Sequence, residues 1–253
     1  MKIIACIKYS YDVAELKFDV EKAKPILSRC PRKMGDIDKS ALEEAIRVKE
    51  RVGGSVAAVC FGPPAAREIM REALAMGADE AYIIDNTGFE EADTLVTSKV
   101  LAEAIKKIGF DIVFCGESSI DGLSYQVGPR VAWLLKVPCI THVRKIEVKD
   151  GKVKAERDLE DCFEVVECDL PVLVSVTREI NTPRLPSLPA ILRASKKPIE
   201  LWKAAELVKA EPAVKVLEFK VPEVKRKGVV FKDIPVEEAV NKLAEELVKE
   251  VLR

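Results

Sequence analysis

The chain has 253 residues, of which 33% are charged and 48% are apolar, and its formal net charge is −1. This length allows one large hydrophobic core, and the near-neutral charge argues against general attraction to nucleic acid or to an anionic membrane surface. No apolar run approaches the roughly 18 residues of a membrane span, so we expect no membrane insertion. Seven cysteines without a Cys-x-x-Cys pair indicate reduced thiols, and we therefore expect a cytoplasmic protein.

Strands and helices alternate along the chain as far as Pro138. We expect Asp38 or Ser40 to cap the first helix, and Asp93 or Thr94 to cap the third. Short apolar strands joined by amphipathic helices predict an α/β fold, with a mostly parallel sheet and helices on both faces. The predicted strands are 2–7, 55–60, 81–84 and 111–115, and the predicted helices end at Val52, Met76, Ile108 and Leu135.

The pattern changes after Pro138. Residues 143–148 and 153–157 flank the pair Asp150-Gly151, which suits the left-handed positions of a type I′ turn and predicts an antiparallel hairpin. Two further apolar runs, 163–168 and 172–176, predict more strands. We expect these strands to extend the parallel sheet with antiparallel edges instead of forming a second domain.

Residues 177–198 follow a buried strand and contain three closely spaced prolines. Each proline lacks a backbone N–H and restricts the residue before it, so we expect a stiff, extended loop without a helix. Such a loop suits the docking of a partner or packs on its own domain, and composition alone leaves both open. The side chains that it offers for docking are Leu185, Leu188, Ile191, Leu192, Arg193 and Lys196.

From Ile199 the chain is predicted to form a C-terminal arm. A short helix at 201–208, an apolar segment at 214–221 and a basic linker at 222–227 lead to a final helix at 236–252. This helix carries an apolar stripe, which packs either on its own domain or on another subunit. We therefore divide the chain into an α/β domain, 1–198, and an arm, 199–253. The stripe consists of Val236, Ala239, Val240, Leu243, Leu247 and Val251.

Motifs for several common chemistries do not occur in the sequence. We find no Walker A motif, no G-x-G-x-x-G after a strand, no H-E-x-x-H and no G-x-S-x-G. The single histidine, His142, gives little basis for catalysis. Because the cysteine and histidine spacing does not match a zinc site, we expect no metal.

The predicted strand ends favour a nucleotide site. Ligands of parallel sheets bind beyond the carboxyl ends of the strands, and small residues at those ends let a ligand approach the backbone. Two helix starts place hydroxyls and unpaired amides at the same edge, where they suit phosphate and ribose oxygens. We expect amides and hydroxyls, not charged side chains, to hold the ligand. The polar residues concerned are Thr94, Thr97, Ser118, Ser119, Asp121, Ser124 and Gln126.

Each of these features also has a simpler explanation. Cys6, Cys60 and Cys115 at the strand ends fit the filling of a core. Asp93 and Thr94 fit ordinary helix capping. The loop 116–122 alone is a weak signal, but two polar helix starts and three small strand ends together favour a dinucleotide-sized pocket.

Several segments combine into a family pattern: LEEAIRVKE (42–50), REALAMGAD (71–79), the stretch 116–131, the region 156–171, and NTPR (181–184) running on to LPAI (188–191). With these segments, the chain resembles the beta subunit of the electron-transfer flavoproteins over nearly its whole length. The resemblance implies an adenine nucleotide alpha hydrolase-like sheet that pairs with an alpha subunit carrying FAD. It also implies that Leu188 inserts into a partner dehydrogenase, flanked by Arg193 and Lys196.

The resemblance bears on the cofactor as well. Ordinary members of the family hold AMP in the beta subunit, and electron-bifurcating members hold a second FAD there. The residues at 93–98 and 121–129 look more like the bifurcating branch. Three segments depart from the family pattern: GDID (35–38) keeps only the acid of an Asn-Pro-aromatic-acid run, EDC (160–162) replaces Asp-Gly-Gly, and LSY (123–125) replaces smaller residues. Tyr125 either stacks on a ring or narrows the pocket against a full FAD.

We therefore predict the beta subunit of a heterodimeric electron-transfer flavoprotein, which binds FAD or, alternatively, AMP. It would shuttle electrons from a dehydrogenase to an acceptor as a carrier and not as an enzyme, and membership of an electron-bifurcating, NADH-dependent complex stays open. The predicted cofactor-binding residues are Cys6, Asp38, Phe61, Gly62, Asp93, Thr94, Thr97, Gly116, Glu117, Ser118, Ser119, Ile120, Asp121, Gly122, Ser124, Tyr125, Gln126 and Val127.

Two rival functions remain on the sequence alone. A stand-alone adenine-nucleotide-binding domain of the universal-stress type would use the same sheet without flavin, but it would have no use for the loop 184–192. An ATP-hydrolysing synthetase would require a glycine- and serine-rich loop after the first strand. The residues at 8–12 do not supply such a loop.

Overall fold

The computed structural model describes residues 1–19, 21–221 and 228–251. The predicted basic linker 222–227 and Leu252, the last residue of the predicted final helix, lie outside the described residues. The chain forms two compact units, Met1–Phe219 and Lys220–Arg253. We describe each unit by itself.

The centre of the first unit is a nine-stranded sheet, accompanied by two small antiparallel sheets. The strands are β1 (Lys2–Cys6), β2 (Tyr9–Tyr11), β3 (Phe18–Asp19), β4 (Lys24–Pro25), β5 (Arg32–Met34), β6 (Ser55–Gly62), β7 (Glu80–Asp85), β8 (Ile112–Gly116), β9 (Cys139–Lys149), β10 (Lys152–Asp158), β11 (Phe163–Asp169), β12 (Val172–Val176) and β13 (Glu200–Lys203). The large sheet has the order β11-β10-β9-β12-β8-β1-β6-β7-β13, and β2–β5 and β3–β4 form the small sheets.

The α-helices among the described residues are α1 (Asp36–Val52), α2 (Arg67–Met76), α3 (Thr94–Ile108), α4 (Val127–Leu135), α5 (Leu188–Lys196), α6 (Ala204–Leu207) and α7 (Val236–Val251). In the first unit, α1 and α2 cover one face of the large sheet, and α3 and α4 cover the other. Alternate side chains of a strand point to opposite faces, so each strand contributes to both layers. On β1, Ile3 and Ala5 join one buried cluster with α1 and α2, whereas Ile4 and Cys6 join a second cluster with α3 and α4. The predicted α/β architecture is confirmed.

The strand order reverses its direction at β1. The chain runs from β1 through β6 to β7 on one side, and then places β8 and β12 on the other side. All of these neighbours pair in parallel. The connections after β1 and β8 therefore leave toward opposite faces, and a crevice opens between the carboxyl ends of these two strands.

The predicted hairpin is present as β9 and β10, which pair antiparallel. Asp150 and Gly151 have φ angles of 51° and 76°, the left-handed conformation that a type I′ turn requires at both positions. β11 adds a second antiparallel strand at this edge, and β12 joins β8 and β9 in parallel. These strands extend the large sheet, as predicted.

Asp93 caps α3 as predicted, but α1 starts differently. The N-cap of α1 is Gly35, so the expectation that Asp38 or Ser40 caps this helix is wrong. Both residues lie inside the helix and are buried. The earlier start frees the carboxylate of Asp38 for contacts outside the helix.

The expectation of an extended loop without a helix at 177–198 is wrong for its second half. Residues Leu188–Lys196 form α5, and the side chain of Ser187 accepts a hydrogen bond from the backbone N–H of Ala190 at 3.4 Å. Pro189 falls in the first turn, where a missing backbone N–H costs no intrahelical bond. Pro189 is therefore compatible with α5, which begins one residue before it, at Leu188.

The predicted helix at 201–208 is wrong in its first half. Residues Glu200–Lys203 form β13, which pairs in parallel with β7 and places Leu201 beside Ile83. Only Ala204–Leu207 is helical, as α6. The large sheet therefore continues past residue 198, where the sequence suggested a domain boundary.

The second unit contains the amphipathic helix α7. Its predicted apolar stripe is exposed along the side chains of Val236, Val240, Leu243 and Leu247, which are 48–79% accessible. Within the described part of the chain, no helix has the length and apolar content to cross a membrane.

Candidate functional site

A cavity of about 350 Å³ lies at the carboxyl ends of the parallel strands. Its walls come from the segment after β1, the end of β6, the start of α3 and the connection between β8 and α4. It therefore occupies the crevice at the reversal of strand order, where α/β sheets bind their ligands.

Most of the predicted site residues line this cavity. Three predicted residues do not line it: Ile120, Asp121 and Tyr125. Those that line it are Cys6, Asp38, Phe61, Gly62, Asp93, Thr94, Thr97, Gly116, Glu117, Ser118, Ser119, Gly122, Ser124, Gln126 and Val127.

The two helix starts predicted from the sequence lie side by side. Thr94, at the start of α3, donates its hydroxyl to the side-chain oxygen of Gln126, the N-cap of α4, at 2.8 Å. This bond closes one wall of the cavity with the amino ends of two helices. Such ends favour negatively charged groups, because their backbone N–H groups lack intrahelical partners.

Asp93 caps α3 and also binds the backbone at residues 213 and 214. One carboxylate oxygen accepts the N–H of Val96 at 2.8 Å, and the other accepts those of Ala213 and Val214 at 2.8 and 3.2 Å. Burial acts to raise the pKa of Asp93, but these N–H donors outweigh it and hold the pKa below its usual value. Because both oxygens are occupied, the simpler reading of Asp93 as a capping residue agrees with its contacts.

Asp38 joins the segments that follow β1 and β8. Its Oδ2 accepts the backbone N–H of Lys8 at 2.9 Å, and the backbone of Gly116 lies close enough for its N–H to act toward a lower pKa of Asp38. Burial raises the pKa of Asp38 to about 7, against the opposing effect of these donors and of the Lys8 charge. A single buried carboxyl thus contacts Lys8 after β1 and lies close to Gly116 at the end of β8.

Gly116 permits this close approach. A Cβ atom at position 116 would lie 2.8 Å from Oδ1 of Asp38 and 3.0 Å from Cγ2 of Ile37. Gly128 has a similar role in α4, where a Cβ would lie 2.9 Å from Sγ of Cys115. The small residues expected at the strand ends are therefore required by packing against the protein itself, besides leaving room for a ligand.

Ser118 carries the clearest sign of a ligand. It lines the cavity and is only 8% exposed. Among the described residues its hydroxyl has no hydrogen-bond partner. A buried polar group without a partner is costly, so this hydroxyl is available to a polar group of a ligand or to a water in the cavity.

Asp121 does not line the cavity, but it binds residues that do or that lie beside it. Its two oxygens accept Lys8 Nζ at 2.6 Å and the backbone N–H of Tyr11 at 3.1 Å, and Lys8 Nζ also reaches Ser119 at 3.1 Å. Burial acts to raise the pKa of Asp121, but the Lys8 ammonium outweighs it and holds the pKa below its usual value. Asp121 is therefore a positioning residue for Lys8.

Several residues of the cavity were not among the predicted site residues. Lys8 and Arg32 line it, so two cationic side chains stand at a cavity where the sequence led us to expect amides and hydroxyls to hold the ligand. Asn86 and Phe89 also line it, from the loop after β7. Lys8 and Asn86 follow the ends of β1 and β7, so they could have been predicted because ligands bind at the carboxyl ends of parallel strands. Arg32 could not, because it lies in a stretch of sequence without a helix or strand pattern.

Tyr125 packs on His142 instead of facing the cavity. Their ring centroids are 6.0 Å apart with an interplanar angle of 26°. His142 Nδ1 lies 2.8 Å from a carboxylate oxygen of Glu117. Both Tyr125 and His142 have left-handed φ angles, 55° and 56°. Tyr125 is therefore packed against a ring of the protein and lies outside the cavity lining, and its two predicted roles toward a full FAD stay predictions.

The strand-end cysteines are buried thiols. Burial raises the pKa of Cys6 and of Cys60 to about 12, and it raises that of Cys115 as well. They are therefore protonated near neutral pH and behave as small core residues. Within residues 1–19, 21–221 and 228–251, no cluster of His, Cys, Asp and Glu could hold a metal ion.

Comparisons with known proteins agree with this geometry. The family model described as "Electron transfer flavoprotein domain" matches residues 27–207. Two similar proteins are called "Electron transfer flavoprotein subunit beta": that of Thermoanaerobacterium thermosaccharolyticum is 41% identical over 256 residues, covering 98% of each chain. That of Clostridium acetobutylicum is 41% identical over 258 residues, covering 97% of this chain and 99% of its own.

A third relative is called "Caffeyl-CoA reductase-Etf complex subunit CarD", from Acetobacterium woodii, and it is 41% identical over 204 residues, covering 80% of this chain and 78% of its own. These matches show that the chain belongs to the electron transfer flavoprotein family. Its predicted assignment to the beta subunits of that family, as an electron-carrying protein, is confirmed. Neither the fold nor the relatives favour a stand-alone nucleotide-binding domain.

Proposed function

We propose that the cavity binds the adenosine part of a nucleotide. The observation that carries this proposal is the buried hydroxyl of Ser118, which lines the cavity without a partner among the described residues. The glycines at 116 and 122 and the paired helix starts provide a cradle of N–H groups and hydroxyls around it. The residues present therefore fit an adenine nucleotide.

FAD is our proposed ligand, with AMP as the alternative. A volume of about 350 Å³ lies near the lower end of the range of about 300–1,000 Å³ for small-molecule sites. The adenosine phosphate part of either nucleotide would fill it, and the rest of an FAD would extend past the rim. Thr94, Thr97 and Ser118 would hold ribose and phosphate oxygens.

The chemistry divides between cofactor and protein. A bound flavin supplies the electron-accepting ring, and the protein supplies position and electrostatics. Asp38 and Asp121 both accept hydrogen bonds from Lys8, which connects the segment after β1 to α1 and to the connection after β8. One relative bears the name of a reductase-Etf complex, and we extend this to propose that the chain serves in an electron-bifurcating complex.

Partner contacts are proposed for two surfaces. The relatives' designation as beta subunits supports an alpha subunit as the heterodimer partner, and we assign its contact to the arm 199–253. We assign dehydrogenase docking to the segment around α5, where Leu185 and Leu188 are 94% and 70% exposed. The docking residues that we propose are Leu185, Leu188, Ile191, Arg193 and Lys196.

The docking segment is held rigidly, which supports this role. Arg184 donates to Glu43 at 2.8 Å and to Glu50 at 2.6 Å on α1. At the other end, Arg71 donates to the carbonyl oxygens of Ala194 and Lys197 at 2.7 and 2.6 Å. Exposed leucines on a segment fixed at both ends present a preorganised apolar surface, which lowers the entropic cost of binding.

A reducing compartment also suits the chain. All seven cysteines fall within the described ranges and are unpaired thiols. Unpaired thiols are typical of proteins kept in a reducing environment. We accordingly propose a cytoplasmic location, and fractionation of source cells with an antibody to the chain tests it.

Cofactor counting tests the central proposal. The chain is co-purified with the neighbouring alpha subunit, the complex is denatured, and FAD and AMP are quantified per heterodimer. We expect two FAD molecules. One FAD with one AMP would identify a simple carrier instead, and one FAD without AMP would contradict a nucleotide in this subunit.

A further inference from the structure

Arg32 is a fixed cation at the rim of the cavity. It lies on β5, directly across from Tyr11 on β2. Its guanidinium carbon is 3.9 Å from the ring centroid of Tyr11 and 5.4 Å from that of Tyr9. Its Nη1 donates to the carbonyl oxygen of Tyr9 at 3.1 Å. Stacking on an aromatic face leaves the edge of a guanidinium available for other acceptors.

The neighbouring cations are neutralised, but Arg32 is not. Lys8 pairs with Asp121 at 2.6 Å, and Lys33 pairs with Asp12 at 3.2 Å and Asp36 at 3.7 Å. Over the described ranges, no carboxylate lies within 4.0 Å of the Arg32 guanidinium. Its one hydrogen bond uses one of five N–H groups. The rim of the cavity therefore offers a positive charge with unused donors.

We propose that Arg32 binds a phosphate of the nucleotide and makes the cavity select nucleotides over nucleosides. This inference rests on the proposed function, because it requires an adenine nucleotide in the cavity. A planar guanidinium with two parallel N–H groups matches the oxygens of a phosphate better than any other side chain. The orphaned Ser118 hydroxyl in the same cavity is independent support for a polar ligand there.

The contacts that hold the β2–β5 sheet in place fit a binding role for Arg32 better than a structural one. Met34, two residues along β5, is fully buried and anchors the strand. The N–H of Tyr11 is tied to Asp121, which also holds Lys8. The small β2–β5 sheet is thereby bonded to Asp121 and anchored in the core by Met34, and the guanidinium is held in place before a ligand arrives.

Titration calorimetry with AMP and adenosine tests the proposal. The full-length chain is freed of nucleotide, and both ligands are titrated into the wild type and into Arg32→Gln. We expect the AMP affinity to fall about tenfold or more, the usual effect of losing hydrogen bonds to a charged group. The adenosine affinity should change by less than about twofold, within the range of neutral surface changes.

Lys33→Gln is the matched control, because Lys33 neighbours Arg32 on β5 but does not line the cavity. It should leave the affinities for both ligands unchanged. Raising the salt concentration should weaken AMP binding more in the wild type than in Arg32→Gln, since screening acts on the charge that the variant lacks.

Unchanged AMP affinity in Arg32→Gln would overturn the role of Arg32 while leaving the nucleotide site intact. Equal losses for AMP and adenosine would also overturn it, because they would show a structural role. A wild-type chain that binds neither AMP nor adenosine would overturn the proposed nucleotide site together with this inference.

Discussion

At the scale of single residues, Asp38 carries the most information. It lies in the third position of α1 and is 7% exposed. Its carboxyl accepts the backbone N–H of Lys8 and lies close to Gly116, yet burial outweighs the effect of these neighbours and raises its pKa to about 7. The sequence could show that an acid stands here. It could not show this environment, because Lys8 and Gly116 are distant along the chain.

Asp38 should make stability depend on pH. Since folding raises its pKa from 3.8 to about 7, its contribution is fully present below about pH 4 and is lost as pH rises to about 7. The expected loss is on the order of 4 kcal/mol for a shift of this size. Asp38→Asn removes this titration, so the stability of the wild type relative to the variant should fall over that window.

Urea unfolding of both proteins at several pH values between about 4 and 8 measures the difference in the free energy of unfolding. The variant also loses one acceptor oxygen, but that loss adds an offset that does not change with pH. Two curves that stay parallel across the window would show that Asp38 does not titrate there.

Gly116 and Gly122 make a matched pair for a packing test. In Gly116→Ala the new Cβ meets Asp38 and Ile37 at 2.8 and 3.0 Å, and both are held by the packing of α1. We expect a loss of about 1–3 kcal/mol. In Gly122→Ala the new Cβ meets the hydroxyl of Ser119 at 3.0 Å and Nζ of Lys8 at 3.6 Å, both at the ends of flexible side chains, and we expect a change within about 0.5 kcal/mol. Chemical denaturation measures both, and equal losses would contradict this account.

At the scale of elements, α5 shows how a correct composition argument led to a wrong secondary structure. The prolines at 183, 186 and 189 all counted against a helix. Two of them precede α5, and Pro189 occupies its first turn, where proline is common. The cap residue Ser187 and the spacing of Leu188, Ile191 and Leu192 were visible signals for a helix start.

Leu188→Ala should separate docking from folding. The side chain is 70% exposed, so its truncation should change the free energy of unfolding by less than about 0.5 kcal/mol. Cofactor content should stay unchanged, and electron transfer with a partner dehydrogenase should slow, because an apolar anchor is lost. Stopped-flow reduction kinetics measure this effect.

Val165→Ala is the control for that experiment, since Val165 is 57% exposed on β11 and lies outside the proposed docking segment, the arm 199–253 and the cavity lining. It should transfer electrons at the wild-type rate. Loss of cofactor in Leu188→Ala, or equal slowing in both variants, would show that Leu188 is not a docking anchor.

At the scale of the whole molecule, periodic segments were predictable and irregular ones were not. The strands at β1, β6, β7, β8 and β12 are apolar runs, and their parallel pairing places the site at their carboxyl ends. The small β2–β5 sheet has no periodic signal, and its register depends on the pairing of residues far apart in sequence. For that reason Arg32 and its contacts with Tyr9 and Tyr11 could not be derived from the sequence.

The same reasoning applies to β13, which was predicted as a helix. Leu201 and Trp202 fit a helix or an edge strand equally well, since a short apolar run cannot distinguish them. This segment forms a strand because it pairs in parallel with β7 at the edge of the large sheet. Trp202 then packs against Tyr82 of β7 at 5.0 Å between ring centroids.

Assembly of the heterodimer should depend on the stripe of α7. Leu243 and Leu247 are 48% and 55% exposed on this helix, and an apolar stripe of this kind gains stability when a partner covers it. Leu243→Glu combined with Leu247→Glu places two charges where the proposed alpha-subunit contact would bury them. We expect the double variant to fold but to lose co-purification with the alpha subunit.

Asn241→Glu is the matched control, because position 241 lies on the opposite side of α7 from Leu243 at helical spacing. It adds an acidic side chain to the same helix without touching the stripe, so the heterodimer should form as in the wild type. Pull-down of a tagged alpha subunit, followed by size-exclusion chromatography, measures the bound fraction of each variant. If the double variant still forms the heterodimer, the contact with the alpha subunit lies elsewhere on the chain, and the exposed stripe has another role.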